Sequence, residues 1–223
     1  MTLGLLVEAL VKYLAGVVMV AAMIFLPAGS LSYWQGWLLM GILFVPIFVV
    51  GVVMMFRSPE LLTKRLRAKE GDSKQSRVVR LSGLLFVANF ILAGLNWRCQ
   101  WLLIADWVVW LAALIFVLCY ILYAEVLREN AYLSRTIEVQ LGQKVVDTGL
   151  YAVVRHPMYT ATTLLFLAMP LVLASPLSFV VMLLYLPLII QRIRHEEALL
   201  ERELEGYGDY MRRVRYRLLP FIY

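Results

Sequence analysis

The chain has 223 residues, of which 62% are hydrophobic and 16% charged, against roughly 45–50% and about 25% in a soluble domain. That balance describes an integral membrane protein and leaves no room for a separate soluble module of ordinary size. The formal charge of +6, without a basic stripe interleaved with aromatics, points to anionic lipid headgroups and away from nucleic acid.

The start, "MTLGLLVEALVKYLAG", has no basic cluster ahead of its apolar run, and Glu8 and Lys12 interrupt the region where a signal peptide would be apolar. Although "PAGS" at 27–30 resembles a weak cleavage site, a retained first helix is expected. A helix needs about 20 apolar residues to cross roughly 30 Å of hydrocarbon. Four segments meet this: Val11–Leu26, Trp37–Phe56, Leu81–Trp97 and Leu102–Leu122. Trp and Tyr lie near several of their ends, as expected at headgroup level. The polar stretch 58–77 between the second and third spans reads as a basic, headgroup-facing loop with a short helix. Cys99 and Cys119 lack paired spacing, which argues against a disulfide framework or a zinc site.

The last apolar region, Met158–Ile190, would be about 50 Å long as one straight helix, which overshoots the bilayer. Pro176 disfavours helical geometry at Ser175 and has no N–H to give, so the sequence predicts a hairpin of two helices, about 158–174 and 176–194. Pro170 and Pro187 are expected to kink them. With this hairpin, all but one of the 21 basic residues, Arg98, fall on one side; the positive-inside rule makes that side cytoplasmic. The expectation is an all-α polytopic membrane protein: six spans, both termini cytoplasmic, and a single domain over 1–223. Four helices occupy 1–125, and 126–223 carry the hairpin and a helical cytoplasmic tail.

A hairpin returns the chain to its starting face, so "SRTIEVQLGQKVVDTGLYAVVRHPMY" and "QRIRHEEALLERELEGYGDYMRRVRYRLLP" must meet at the membrane surface. Arg192 and Glu196 are four residues apart and share one helix face. An exposed pair of this kind is worth a few tenths of a kcal/mol, but this one continues a membrane helix, where ionisable groups are costly without partners. His156 precedes Pro157, which favours an extended residue followed by a helix starting on proline. The N-terminal end of that helix suits an anion. His156 and His195 are the only histidines, and no metal-ligand spacing accompanies them. No GxSxG elbow and no GxGxxG or GKS/GKT phosphate loop occurs.

"TGLYAVVRHPMY", followed after the hairpin by "RIRHEE" and "YGDYMRRVRYRLLP", resembles the isoprenylcysteine carboxyl methyltransferase family and, more loosely, the membrane phospholipid N-methyltransferases. The resemblance covers roughly residues 130–220. It implies transfer of a methyl group from S-adenosyl-L-methionine to a lipophilic or lipidated acceptor arriving from the bilayer. It further implies that a strand-like approach of Gln143, Lys144, Val145 and Val146 lines the cofactor, with Tyr151 beside it. His156, Pro157, Met158 and Tyr159 would form its main wall, Glu196 would complete it, and Arg192 would address the acceptor. The chain departs from the family at Gly149-Leu150-Tyr151, where GPY is common, and at Tyr159-Thr160-Ala161, where YxG is common. These departures bear on the acceptor more than on the cofactor.

A carboxylate acceptor is ionised near neutral pH and needs no general base, so positioning and desolvation suffice, with Arg192 holding it through paired donors. The compact length fits a bacterial source, for which a small lipid or isoprenoid acid is the expected acceptor. Two other readings stand beside this one: an NADPH-dependent sterol-type membrane reductase, and a non-catalytic membrane binding protein of the same fold. RHPMY paired with HEE argues against the reductase.

Overall fold

A computed structural model describes residues 3–57, 59–67, 73–102, 104–130, 132 and 139–223. The described residues are helical and contain no strand. The helices are α1 (Leu3–Ala28), α2 (Trp34–Arg57), α3 (Pro59–Arg67), α4 (Ser73–Cys99), α5 (Asp106–Glu129), α6 (Pro157–Val172), α7 (Pro176–Met182), α8 (Tyr185–Glu203) and α9 (Tyr207–Arg213), with a 3-10 turn at Gly149–Ala152. Five stretches are long and apolar enough to cross a membrane: Gly4–Ala28, Trp34–Arg57, Ser76–Cys99, Asp106–Glu129 and Pro176–Glu203. The sixth expected span, Pro157–Val172, is shorter at 16 residues.

Helix ends follow local chemistry. α1 stops at Gly29, whose φ of 66° and N–H bond to Phe25 O (2.9 Å) make a left-handed cap. Against α1, α4 presents Ala93 and Gly94. A Cβ on Gly94 would lie 2.5 Å from Ile24 O, so glycine is what lets the two backbones approach this closely. Near the other end of α1, Lys12 Nζ donates to Leu66 O and to Glu8 Oε1, both at 2.8 Å. The cation sits on the last carbonyls of α3, where the helix dipole favours it, and joins the start of α1 to the α2–α4 connection.

The hairpin forms where the sequence places it. Leu173 ends α6, Ala174 takes a left-handed φ of 51°, Ser175 caps α7 and Pro176 occupies the first position of α7. Proline there needs no N–H and its ring presets φ. The tip is pinned from two elements, the α1–α2 connection and α4: the Tyr33 hydroxyl donates to Leu173 O, Asn96 Nδ2 to Ala174 O (3.2 Å), and Ser178 Oγ to Asn89 O (3.0 Å). Tyr33 immediately precedes α2 and Asn96 is one turn from the end of α4. The tip therefore reaches the end of the bundle opposite the start of α6. The largest core cluster, with Ile24, Leu39, Phe116, Val172 and Leu173 fully buried, fills the space between.

The returning limb differs from expectation. One helix kinked at Pro187 was predicted over 176–194; two are observed, α7 and α8, with the break at Leu183-Leu184. Pro187 cannot donate to Leu183 O and its ring would crowd that carbonyl. Restarting at Tyr185 places the proline in the first turn of α8, where its missing donor is harmless. From there α8 runs to Glu203, beyond the predicted end at 194, because the inward row Ile189, Ile193, Glu197 stays buried through the charged stretch.

Candidate active site

The end of α5 shapes the approach to the site. Glu129 Oε2 accepts from Leu150 N (3.0 Å) and Asn130 Nδ2 donates to the Tyr151 hydroxyl (2.9 Å). Gly149 has φ 51°, and a Cβ on it would fall 1.5 Å from Glu129 Oε1. The carboxylate thus occupies the space that any side chain at 149 would need. Leu150, where the resembling family has proline, supplies an N–H that proline lacks, and Glu129 uses it. Tyr151 is buried and also accepts from the Tyr210 hydroxyl at its carbonyl (2.8 Å). Burial, opposed by the Asn130 hydrogen bond, pushes the Tyr151 phenol up to about 12, so it stays neutral near pH 7.

At Arg155-His156 the backbone leaves the surface. Arg155 N donates to Tyr216 O and His156 N to Arg217 O, both at 2.9 Å, and Thr160 Oγ1 donates to Leu218 O (2.6 Å). The tail after α9 is thereby strapped along the entry to α6. Beneath the strap lies Glu197, 5% exposed. It accepts from Arg155 Nε (2.7 Å) and Arg217 Nε (2.7 Å), and His156 Nε2 stands 3.2 Å from its Oε1. A carboxylate only accepts, so His156 presents Nε2–H to it. Arg155 Nη1 further donates to Val214 O (2.9 Å). This buried cluster joins the α6 entry, α8 and the tail; taking charges out of water is costly and is offset only by such complete pairing.

A cavity of about 100 Å³ opens between these elements. Of the residues singled out in the sequence, Gln143, Lys144, Val145, Val146, Tyr151, His156, Met158, Tyr159, Arg192 and Glu196 line it. Pro157 does not; it is buried at the first position of α6 and sets where the helix begins. Gln143–Val146, expected as a strand-like approach, runs outside any helix, and among the described residues it has no backbone ladder partner, since His156 and the tail pair with each other. Tyr159 links the two charged residues of α8, accepting from Arg192 Nε (3.0 Å) and donating to Glu196 Oε2 (2.5 Å). Its ring stacks on His156, with centroids 5.6 Å apart.

Sequence reasoning missed Asn130, Arg155, Tyr207 and Tyr210 as lining residues, and Glu197 as the anchor beneath the wall. The spacing Tyr207–Tyr210 at i, i+3 on a polar segment was a visible signal for one shared aromatic face. Nothing local marks which of the adjacent glutamates faces the cavity; the buried row of α8 decides it. Among the described residues no group of three or more His, Cys, Asp or Glu is placed to hold a metal.

Comparison with known proteins bears on this same region. Residues 107–205 match the family described as phospholipid methyltransferase. This stretch runs from α5 to just past α8 and contains every cavity residue except Tyr207 and Tyr210. A Delta(14)-sterol reductase from Mus musculus is 30% identical over 91 residues, which cover 40% of this chain and 22% of that protein. The chain thus spans about a fifth of the length of this curated relative. The region that builds the cavity is similar to membrane methyltransferases, and the protein is a multi-pass helical one.

Proposed function

We propose that this protein is a membrane methyltransferase that uses S-adenosyl-L-methionine and methylates a carboxylate on a lipophilic acceptor, as the isoprenylcysteine carboxyl methyltransferases do. The observation that carries the reading is the Arg192–Tyr159–Glu196 chain, bordering the cavity at the surface end of the hairpin. The donor set suits the methyl donor: a carboxylate, Glu196, for its cationic groups, tyrosine faces for a purine and sulfonium, and the first-turn backbone N–H groups of Met158 and Tyr159 at the start of α6 for its carboxylate. When bound, that cosubstrate supplies an electrophilic methyl group and leaves as a neutral thioether.

The protein's own groups then orient and desolvate. The Tyr159 proton is committed to Glu196 and its lone pair to Arg192, so Tyr159 is not a general acid or base. An acceptor that is already anionic requires none, which favours a carboxylate over an ammonium. Arg192 holds that carboxylate in line with the donor, and the apolar surroundings Tyr185, Ile189 and Ile193 keep water from competing. With both termini on the cytoplasmic side of a bacterial membrane, the cavity opens toward the cytoplasm while the acceptor arrives laterally.

The test is transfer of labelled methyl from S-adenosylmethionine into a total lipid extract. Base-labile label marks an ester; base-stable label marks an amine product and overturns the carboxylate assignment. The partial similarity to a sterol reductase supports a second reading, reduction with NADPH. Titration of the detergent-solubilised protein with S-adenosylhomocysteine and with NADPH separates the two.

A further inference from the structure

The Tyr207 hydroxyl is the exception in the cavity wall. Tyr207 lines the cavity, is 4% exposed, and its hydroxyl has no hydrogen-bond partner. Among the described residues, no other one lining the cavity has a buried side-chain polar atom without one. A buried, unpaired hydroxyl costs free energy, because it has given up water without gaining a partner. Its neighbour Tyr210, one turn on, shows the ordinary arrangement, with the hydroxyl donating to Tyr151 O at 2.8 Å. The Tyr207 ring is held by Tyr210 (centroids 5.6 Å apart), Leu204 and Val214, and cannot swing out to water without breaking that cluster.

The electrostatic setting selects what kind of group completes this hydroxyl. Burial first, then the charges of Glu197 and Glu196, hold the phenol well above its usual range, so it is a standing O–H donor. A donor beside two carboxylates disfavours an anionic acceptor from a ligand and suits a neutral one.

We propose that Tyr207 is a ligand-binding residue whose hydroxyl donates to a neutral acceptor on the nucleoside half of the methyl donor, a ribose oxygen or a purine nitrogen, and not to its amino-acid half. The inference rests on the S-adenosylmethionine reading given above. In the unliganded protein the hydroxyl stays unpaired, and the nucleoside satisfies it on binding. Stability and affinity therefore oppose each other at this one atom.

The experiment compares the wild type with Tyr207→Phe in detergent. It measures thermal unfolding without ligand, and the dissociation constants of S-adenosylhomocysteine and of 5′-methylthioadenosine, which lacks the amino-acid half. The expected result is an unliganded Tm at or above the wild-type value, with both ligands weakened by the same factor, about tenfold. Tyr210→Phe serves as the contrast and lowers the Tm, because it deletes a bond that is made. Equal affinities in Tyr207→Phe and wild type overturn the proposal. So does a loss confined to S-adenosylhomocysteine, which would move the contact to the amino-acid half, or a lowered unliganded Tm with unchanged affinity, which would make the hydroxyl structural. If the wild type binds neither ligand, the methyl-donor reading itself falls.

Discussion

Tyr159 stands between Arg192 and Glu196, taking a hydrogen bond from the first at 3.0 Å and giving one to the second at 2.5 Å. The two charged residues are one turn apart on α8 and the tyrosine comes from α6, so a single hydroxyl orients both. Tyr159→Phe keeps the ring and its stacking on His156 but removes its hydrogen bonds to both residues. We expect a folded protein with S-adenosylhomocysteine affinity and kcat/KM each reduced about tenfold, one to two charge-assisted hydrogen bonds' worth. Isothermal titration and initial rates check this. Undiminished values would show that α8 alone sets the two side chains.

Glu197 predicts a stability effect of a different size. Glu197→Gln leaves the Arg155 side chain, 7% exposed, without its counter-charge, and breaking a buried pair from one side costs about 3–5 kcal/mol. The Arg217 side chain is 34% exposed, so solvent screens its share and Arg217→Met should cost about 1 kcal/mol or less. Melting curves of the solubilised variants should rank them wild type, Arg217→Met, Glu197→Gln in falling order. Similar melting temperatures for the two variants would refute the buried anchor.

The hairpin was legible because its cause is local: Pro176 forbids continuation and Ser175 caps the restart. That Arg192 and Glu196 share one face and border one cavity followed from spacing alone. What the sequence concealed depends on long-range contact. Pro187 splits the returning limb into two helices because Leu183 O would otherwise meet the ring, and the same residue pattern also permits a kink. Glu197 was not singled out in the sequence, and only the register of Ile189 and Ile193 turns it inward toward Arg155 and Arg217. Leu150 stood out only as a departure from GPY, whereas its N–H is taken by Glu129, 21 positions earlier.

That last contact gives a prediction about the turn. Gly149→Ala must displace the Glu129 carboxylate and also hold alanine at φ 51°, a left-handed conformation costing roughly 1–2 kcal/mol. We expect a lowered Tm and weakened S-adenosylhomocysteine binding through Tyr151. In a Glu129→Ala background the collision is gone, so the same substitution should cost less. A double-mutant cycle showing strict additivity would mean the two residues do not share this space.

Orientation is testable with the native thiols. Cys99 is exposed at the end of α4 on the hairpin-tip side, and Cys119 is buried. With the cytoplasmic side as proposed, a membrane-impermeant maleimide should label Cys99 in intact cells. Glu205→Cys in a Cys99→Ser background should react only after permeabilisation. The reverse pattern would place the cavity outside.

Asn89 supplies the last prediction, on the energetics of the bundle. It lies within the α4 span, is 0% exposed, and neither its side-chain oxygen nor its nitrogen has a partner, although its backbone carbonyl accepts from Ser178 Oγ. An amide without partners in an apolar interior costs free energy, and no bulk water reaches this depth to repair it. Leucine has nearly the same shape and nothing to satisfy, and Ser178 keeps its bond because that bond goes to the backbone. Asn89→Leu should therefore raise the Tm, by up to about 1–3 kcal/mol of stability. Asn89→Asp, which puts a charge in the same place, should lower it. A fall in Tm with leucine would show that the amide is bonded to a buried water, since one or two water-mediated bonds would then be lost with the side chain.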